Sequence, residues 1–306
     1  MTMKRLVIAG GTGVIGRTLI PELVDTYQVV ILSRRPKKRP INPNVSYEFW
    51  DGKSSISHLL EGVYGVINLL GESIGKKRWT AKQKDKIVAS RVDSATAIKQ
   101  SIEETKVKPK VWVQASATGY YGPWLREKPY NEYSPHDEQT FLGRVCEEWE
   151  RPIQSLGGAK TRKIIVRTGV VISKDSELVD QFLRPLHFKT AVIVGTGKDR
   201  LPWIHLQDEV SAIRFLLENE NSAGIYNLVA PTNITIEEFV KEMRYYKPSW
   251  LTYHVPRWLL NFMFGKEMTS ELILCNQNVY PERLKKEGFK FKYSNIQLAM
   301  SEIFVK

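Results

Sequence analysis

The chain has 306 residues, 42% of them hydrophobic and 10% aromatic, which suits a folded protein with a core and excludes disordered or low-complexity classes. Its 45 Lys and Arg against 33 Asp and Glu give a net charge of +12, for which three anionic partners compete: nucleic acid, an anionic membrane surface or a phosphorylated small ligand. No apolar run approaches the about 18 residues of a membrane span, and Cys146 and Cys275 lack metal-ligand spacing, so they read as reduced thiols of a cytoplasmic protein.

Met1 to Arg5 followed by Leu6-Val7-Ile8-Ala9 imitates the start of a secretory leader, but glycines break the apolar run at once and no small-residue cleavage pattern follows. Lys4–Ala9 reads instead as a strand and Val14–Val24 as a helix, joined by Gly10-Gly11-Thr12-Gly13-Val14-Ile15-Gly16. In that context Gly10 permits the tight turn, Gly13 lets backbone approach a pyrophosphate, and Gly16 allows close packing of helix on sheet. The free N–H groups and positive dipole of the helix start then hold the anion. A dinucleotide is the expected ligand, held by Gly10, Thr12, Gly13, Val14, Ile15 and Gly16.

Gln28–Leu32 is a second strand, running into Ser33-Arg34-Arg35-Pro36-Lys37-Lys38-Arg39-Pro40. A site selective for NAD presents Asp or Glu here to the ribose 2′-hydroxyl. Ser33, Arg34 and Arg35 offer a hydroxyl and two guanidinium forks instead, which suit a 2′-phosphate, so the expected cofactor is NADP, as NADPH when reduced. Val45–Trp50 and Tyr64–Leu69 are further strands, with a short helix over Ile56–Leu60. Asp51 reads either as a contact to the adenine edge or as a turn residue before Gly52, and Asn68-Leu69-Leu70-Gly71 passes beside the cofactor. A second concentration of charge, Lys76-Lys77-Arg78 with Lys82, Lys84 and Lys86, reads as a solvated face.

A long helix follows from Thr80, its N-cap, to Glu104, with the apolar stripe Val88, Val92, Ala95, Ile98 and Ile102. Arg91 falls beside that stripe, on the line Ile87, Arg91, Ser94, Ile98, and a buried guanidinium there needs an anion: an internal carboxylate, or a substrate or cofactor. Lys110–Ala115 is the next strand. Ser116 stands at its end, with Ala117 as the other candidate for that place, and Tyr120 and Tyr121 follow in a glycine-bounded loop. Glu138–Arg151 is a helix in which Phe141, Val145 and Trp149 recur every four residues and which Pro152 ends or kinks. Arg162–Val166 is a strand. The alternation implies an α/β fold with a doubly wound parallel sheet over residues 1–170.

Beyond Gly169 the rhythm loosens, and Pro, Gly and aromatic residues interrupt Ser173 to Trp203. The helix Leu206–Glu218 and strand Gly224–Val229 return residues 204–230 to the sheet. Residues 171–203 and 231–306 are expected to form a smaller substrate-side α/β lobe, with helical stretches at Ile236–Tyr245, Pro256–Phe264, Pro281–Glu287 and Ile296–Phe304. His205 and Asp208 are expected at the lobe junction. His58, His136, His187 and His254 are isolated, so no metal site is expected, and there is no Gly-x-Ser-x-Gly elbow.

With these residues the chain resembles the extended short-chain dehydrogenase/reductase superfamily, and more narrowly its atypical "epimerase family" branch, also described as nucleoside-diphosphate-sugar epimerase-like. The resemblance runs through the glycine loop, Asn68 to Gly71, Arg78-Trp79-Thr80, Ser90-Arg91-Val92 and Ser116 to Gly122. It continues through Phe141 to Trp149, Arg167 to Val171, Trp203 to Asp208, Tyr226 to Pro231 and Pro281 to Phe289. It implies an NADP-binding Rossmann domain and a C-terminal domain of unknown function; Arg91 and Thr168 are also expected among the cofactor contacts. Active members use a Tyr and a Lys one helical turn apart, in which the cation lowers the phenol's pKa. This chain has Phe141 and Val145 there.

Ser116, Tyr120 and Tyr121 are therefore the expected catalytic candidates of an oxidoreductase acting on an unidentified small molecule, with no nucleic-acid or membrane partner, as monomer or homodimer. The alternatives are a non-catalytic NADP-sensing scaffold or a sugar-nucleotide epimerase or dehydratase.

Overall fold

The computed structural model describes residues 3–37, 40, 42–158 and 160–305; Met1 and Thr2 of the leader-like start and Lys38 and Arg39 of the first basic run lie outside them. Six strands follow the expected rhythm: β1 (Lys4–Ala9), β2 (Tyr27–Ser33), β3 (Val45–Phe49), β4 (Gly65–Asn68), β5 (Val111–Ala117) and β6 (Arg162–Thr168). The strand Gly224–Leu228 completes a seven-stranded sheet in the order Gly224–Leu228, β6, β5, β4, β1, β2, β3, with every pairing parallel. Helices α1 (Val14–Leu23), α2 (Ser57–Leu60), α3 (Ala81–Glu104) and α4 (Phe141–Gln154) alternate with these strands, giving the expected Rossmann-like α/β arrangement.

The strands read as continuous apolar runs because both faces are covered. Leu6 and Ile8 of β1, with Val29 and Ile31 of β2, pack on Leu19 and Leu23 of α1. Val7, Ala9, Val66 and Trp112 point the other way, onto Ile98 and Ile102 of α3 and Trp149 and Ile153 of α4. Strand order reverses between β1 and β4, and in such open sheets ligands bind outside the carboxyl ends of the strands at that switch point. The pairings of Ala9 with Leu32 and Asn68, of Asn68 with Gln114, and of Ala117 with Thr168 put the ends of β1, β2, β4, β5 and β6 on one edge.

Several expectations shift. α4 begins at Phe141 rather than Glu138, because Thr140 caps Gly143 N and Asp137 Oδ1 accepts from Gln139 N and Thr140 N. Pro152 lies inside its last turn instead of ending it, and β5 runs two residues further, to Ala117. On α3, Val88 and Val92 are only partly buried, and Ile87, Ala95, Ile98 and Ile102 carry the packing.

The stretch Ser173–Trp203 is more regular than its composition implied. After β7 (Val170–Ile172) it holds α5 (Glu177–His187), capped by Ser176, and β8 (Thr190–Val194). Helices α6 (Leu206–Glu218), α7 (Ile236–Tyr246) and α8 (Arg257–Phe264) follow, and the unexpected strand Leu251–Val255 pairs in parallel with β8. A second apolar core gathers Phe182, Ile193, Trp203, Phe239, Met243 and Ile303.

A Cβ on Gly16 would fall 2.5 Å from Gly11 Cα and 2.6 Å from Gly10 O, and neither is the tip of a flexible side chain. Gly16→Ala is expected to destabilise the fold by about 1–3 kcal/mol in urea unfolding. It should also weaken dinucleotide binding at least tenfold in a fluorescence titration.

Candidate functional site

The turn after β1 is built from backbone. Gly10 has φ +82°, and a Cβ there would sit 2.8 Å from Leu69 C, so the loop nests against the end of β4. Gly13 N donates to Gly10 O at 3.0 Å and Arg17 N to Gly13 O at 2.9 Å. Gly13 is the N-cap of α1 and has no side chain to cap with, and no acidic residue lies in the first turn. Thr12, Gly13 and Val14 are exposed, Ile15 is half-buried, and Gly16 is buried beneath them. The helix therefore presents open N–H groups and an uncompensated positive end, which suits an anion of pyrophosphate size.

At the end of β2, Ser33 Oγ accepts from Arg35 N at 3.0 Å. Arg34 and Arg35 are exposed and form no ion pair among the described residues, so their guanidinium groups are available. Asp51 takes the turn role of its two readings: Oδ1 accepts from Lys53 N, Ser54 N and Ser54 Oγ, each at 2.8 Å. These bonds hold its carboxyl down at about 2.

Asn68 is buried, donating to Gln114 Oε1 at 3.1 Å and Ser94 Oγ at 3.3 Å and accepting from Leu70 N at 3.2 Å. Its side chain thus shapes the turn, while half-buried Leu69 and Leu70 and exposed Gly71 form the rim.

Of the two readings of Arg91, the internal ion pair is not formed among the described residues. Nη1 donates to Glu72 O at 3.0 Å and Ile87 O at 3.1 Å, and the guanidinium lies 4.8 Å from the Trp149 ring centroid. No carboxylate pairs with it among the described residues, and burial lowers its pKa. A Cβ on Gly71 would fall 3.1 Å from Nη2, so the cation lies directly under the β4 rim.

Next to it, a buried network crosses β5, β6, α4 and the strand Gly224–Leu228. Arg167 and Glu150, 1% and 0% exposed, form a bidentate pair with Nε to Oε1 and Nη2 to Oε2 both 2.8 Å. Ser116 Oγ donates to Glu150 Oε1 at 2.6 Å, Arg167 Nη1 donates to the Tyr121 hydroxyl at 3.1 Å, and that hydroxyl donates to Asn227 Oδ1 at 2.7 Å. The guanidinium also lies 3.3 Å from the Tyr120 ring centroid.

Of the three candidates, Ser116 and Tyr121 are therefore buried and hydrogen-bonded inward, while Tyr120 is half-buried. Burial pushes Tyr121 up to about 12 and raises Tyr120 as well, against the pull of Arg167.

Glu150, Arg167 and Asn227 were not among the expected site residues, although the resemblance runs through Arg167 and Asn227. The signal was present in part, since Arg167 interrupts the apolar run Ile164-Ile165-Val166 and Glu150 lies between Trp149 and Ile153. Phe141 and Val145 pack as expected, with Phe141 edge-on to Trp79 at 5.1 Å. Glu271, another residue that was missed, accepts from Phe141 N at 3.0 Å and Leu142 N at 2.9 Å, occupying the start of α4. His205 caps α6 and Asp208 accepts from Lys292 N and Tyr293 N at 2.8 Å, so both act structurally, holding the C-terminal segment to α6.

Thr168, at the end of β6, donates to Glu209 Oε1 at 2.8 Å. Burial pushes the Glu209 carboxyl up to about 8, from an ordinary 4.5. Between those values the folded chain keeps a proton that the unfolded chain has released, so stability falls as pH rises through the window. Urea unfolding from about pH 5 to about pH 8 should show the native chain losing a few kcal/mol relative to Glu209→Gln. Parallel pH profiles for the two proteins would sink this account.

The sequence pattern of the NAD dependent epimerase/dehydratase family matches residues 6–228, and that of a domain of unknown function (DUF1731) matches residues 255–303. The chain is 32% identical to epimerase family protein YfhF of Bacillus subtilis (strain 168), across 97% of each protein. It is 31% identical to epimerase family protein SAR0825 of Staphylococcus aureus (strain MRSA252), across 99% of this chain and 100% of that one. Among solved structures, human epimerase family protein SDR39U1 (isoform 2), crystallised with NADPH, superposes with a TM-score of 0.87 at 27% identity, across 99% of both chains.

Proposed function

This chain belongs to the NAD dependent epimerase/dehydratase family, and on that footing we propose that it binds NADP(H) and reduces a small carbonyl compound. The observation that carries the reading is the pairing of an open α1 start with two exposed arginines at the end of β2 that form no ion pair among the described residues. The glycine cradle fits a dinucleotide, because side chains at Gly10 and Gly16 would collide with the turn itself. The NADPH of the human relative agrees with this assignment.

Gly10 to Gly16 hold the pyrophosphate, and Ser33, Arg34 and Arg35 hold the 2′-phosphate. The ends of β4 and β6, Asn68 to Gly71 and Thr168, border the nicotinamide half. When bound, NADPH supplies a hydride. Tyr120 is the proton donor of this reading. Its phenol carries a proton that can pass to the carbonyl oxygen as the hydride arrives, and burial, which raises its pKa against the pull of Arg167, makes it a weaker acid than a phenol beside a lysine.

Arg167 positions the Tyr120 ring through the 3.3 Å stack, and Trp79, Phe141 and Val145 form a dry wall beside the site. Arg91, which forms no ion pair among the described residues, offers its charge to an anionic group of substrate or cofactor. The thiols of Cys146 and Cys275 are unpaired, in keeping with a cytoplasmic setting.

The second reading, an NADP sensor without chemistry, draws on Phe141 and Val145 and on the inward bonds of Ser116 and Tyr121. The absence of a Tyr–Lys pair on α4 also weighs against an epimerase or dehydratase, whose reactions use the same proton relay.

Arg34→Ala with Arg35→Ala should weaken NADPH binding about 10–100-fold and leave NADH binding within about twofold, read by titration of cofactor fluorescence. Equal losses for both cofactors would reject the assignment.

Tyr120→Phe should lower NADPH-dependent turnover about 100-fold or more while NADPH affinity holds, read on a panel of aldehydes and ketones. Tight NADPH binding with no turnover on any of them favours the sensor.

A further inference from the structure

The C-terminal region carries an apolar surface that the cofactor site does not use. On α8, Trp258 and Phe262 stand one turn apart at 69% and 77% exposure, with Met263 beside them at 52%, and only Leu260 is buried. The strand leading into α8 pairs with β8 alone, and Trp250, just before it, is 85% exposed. From Tyr245 to Lys266 the sequence contains no acidic residue. Scattered exposed apolar residues are ordinary, but a run of this kind on one short helix marks a contact surface.

The second basic segment lies against the same helix. Arg78 Nη1 donates to Phe262 O at 3.5 Å, and Lys76, Lys77 and Arg78 are all exposed. None of the three forms an ion pair among the described residues. The cofactor reading accounts for Arg34 and Arg35 but leaves this cluster without a counter-ion.

Aromatic residues on a stretch without acids from Tyr245 to Lys266, flanked by cations that form no ion pair among the described residues, match the boundary between lipid headgroups and acyl chains. A second copy of the chain fits less well, because a two-fold contact through this face sets one basic segment beside the other. Single-stranded nucleic acid stacks on aromatic rings but leaves Met263 and Leu251 without an apolar partner.

We propose that this face docks the protein on an anionic phospholipid bilayer, with Trp258 and Phe262 entering the headgroup boundary and Lys76, Lys77 and Arg78 against the phosphates. Docking here is peripheral, and no helix among the described residues is long and apolar enough to cross a membrane.

The test is co-sedimentation of the full chain with phosphatidylglycerol/phosphatidylcholine vesicles and with pure phosphatidylcholine vesicles, alongside the tryptophan emission. Binding should be at least tenfold tighter to the anionic vesicles, weaken with salt, and shift the emission to the blue. Lys76→Glu with Lys77→Glu should cost more than about 20-fold, since each cation near such a surface contributes about fivefold. Trp258→Ser with Phe262→Ser should cost at least tenfold, with circular dichroism confirming the fold, and Arg34→Ala with Arg35→Ala should leave vesicle binding unchanged. The proposal is overturned by equal binding to both vesicle types, by no binding, or by binding that both surface variants keep. It is likewise overturned if the surface variants instead abolish a dimer in sedimentation equilibrium or binding to a random oligonucleotide.

Discussion

Arg167 and Glu150 meet where no water reaches either, and the carboxyl edge of the sheet is organised around them. Removing both charges from water costs several kcal/mol per ion, and a buried pair persists only when geometry and further hydrogen bonds compensate. Here the bidentate fork is joined by the Ser116 and Tyr121 hydroxyls, and the Arg167 cation also faces the Tyr120 ring. The pair ties β6 to α4, Ser116 fixes the end of β5, and Tyr121 reaches Asn227 on the neighbouring strand. Asn227 in turn bonds Tyr280 O and Glu132 Oε1, so the network around one ion pair reaches the chain at Glu132 and Tyr280 as well.

That rigidity has a chemical consequence. Hydroxyls that stabilise the buried pair are not free to serve a ligand, so the network that shapes the edge also removes two of its three evident proton carriers. The β4 rim shows the same division: the Asn68 side chain is engaged inward with Gln114 and Ser94, while Leu69, Leu70 and Gly71 form the outer boundary. Around the phosphate loop the logic is reversed. Gly13 leaves the start of α1 uncapped, and Arg34 and Arg35 form no ion pair among the described residues, so the structure there keeps positive potential available.

The Rossmann half was legible in the sequence because its strands are buried on both faces and its helices on one, which writes strong, simple patterns. The C-terminal region is less periodic for physical reasons. In α5 the spacing Val179, Phe182, Leu186 was present, but Pro185 in the last turn made the stretch read as broken. The strand Leu251–Val255 is exposed along nearly its whole length and so lacks the alternation that marks a half-buried strand.

Within the site, positions on strand ends could be placed by counting, whereas pairings across elements could not. Glu150 and Arg167 are 17 residues apart on different elements, and neither neighbourhood names the other as partner. Arg91 shows the opposite limit: its burial was readable from the helix line, but the sequence could not show that backbone carbonyls and Trp149, rather than a carboxylate, surround it.

The replacement of a Tyr and Lys by Phe141 and Val145 has to be judged together with what surrounds them. Glu271 occupies the first N–H groups of α4, and Trp79, Leu142 and Met268 close over Phe141, so this wall is apolar with its helix end already neutralised. A cation such as the usual Lys would lower a neighbouring phenol's pKa, and without it burial dominates, as the raised Tyr120 and Tyr121 show. A phenol in that state is a weaker acid than one beside a lysine cation. Burial, rather than a neighbouring lysine, therefore sets the proton affinity of the phenols at this edge, and Tyr120 is the one of the pair that stays half-buried, against the Arg167 guanidinium.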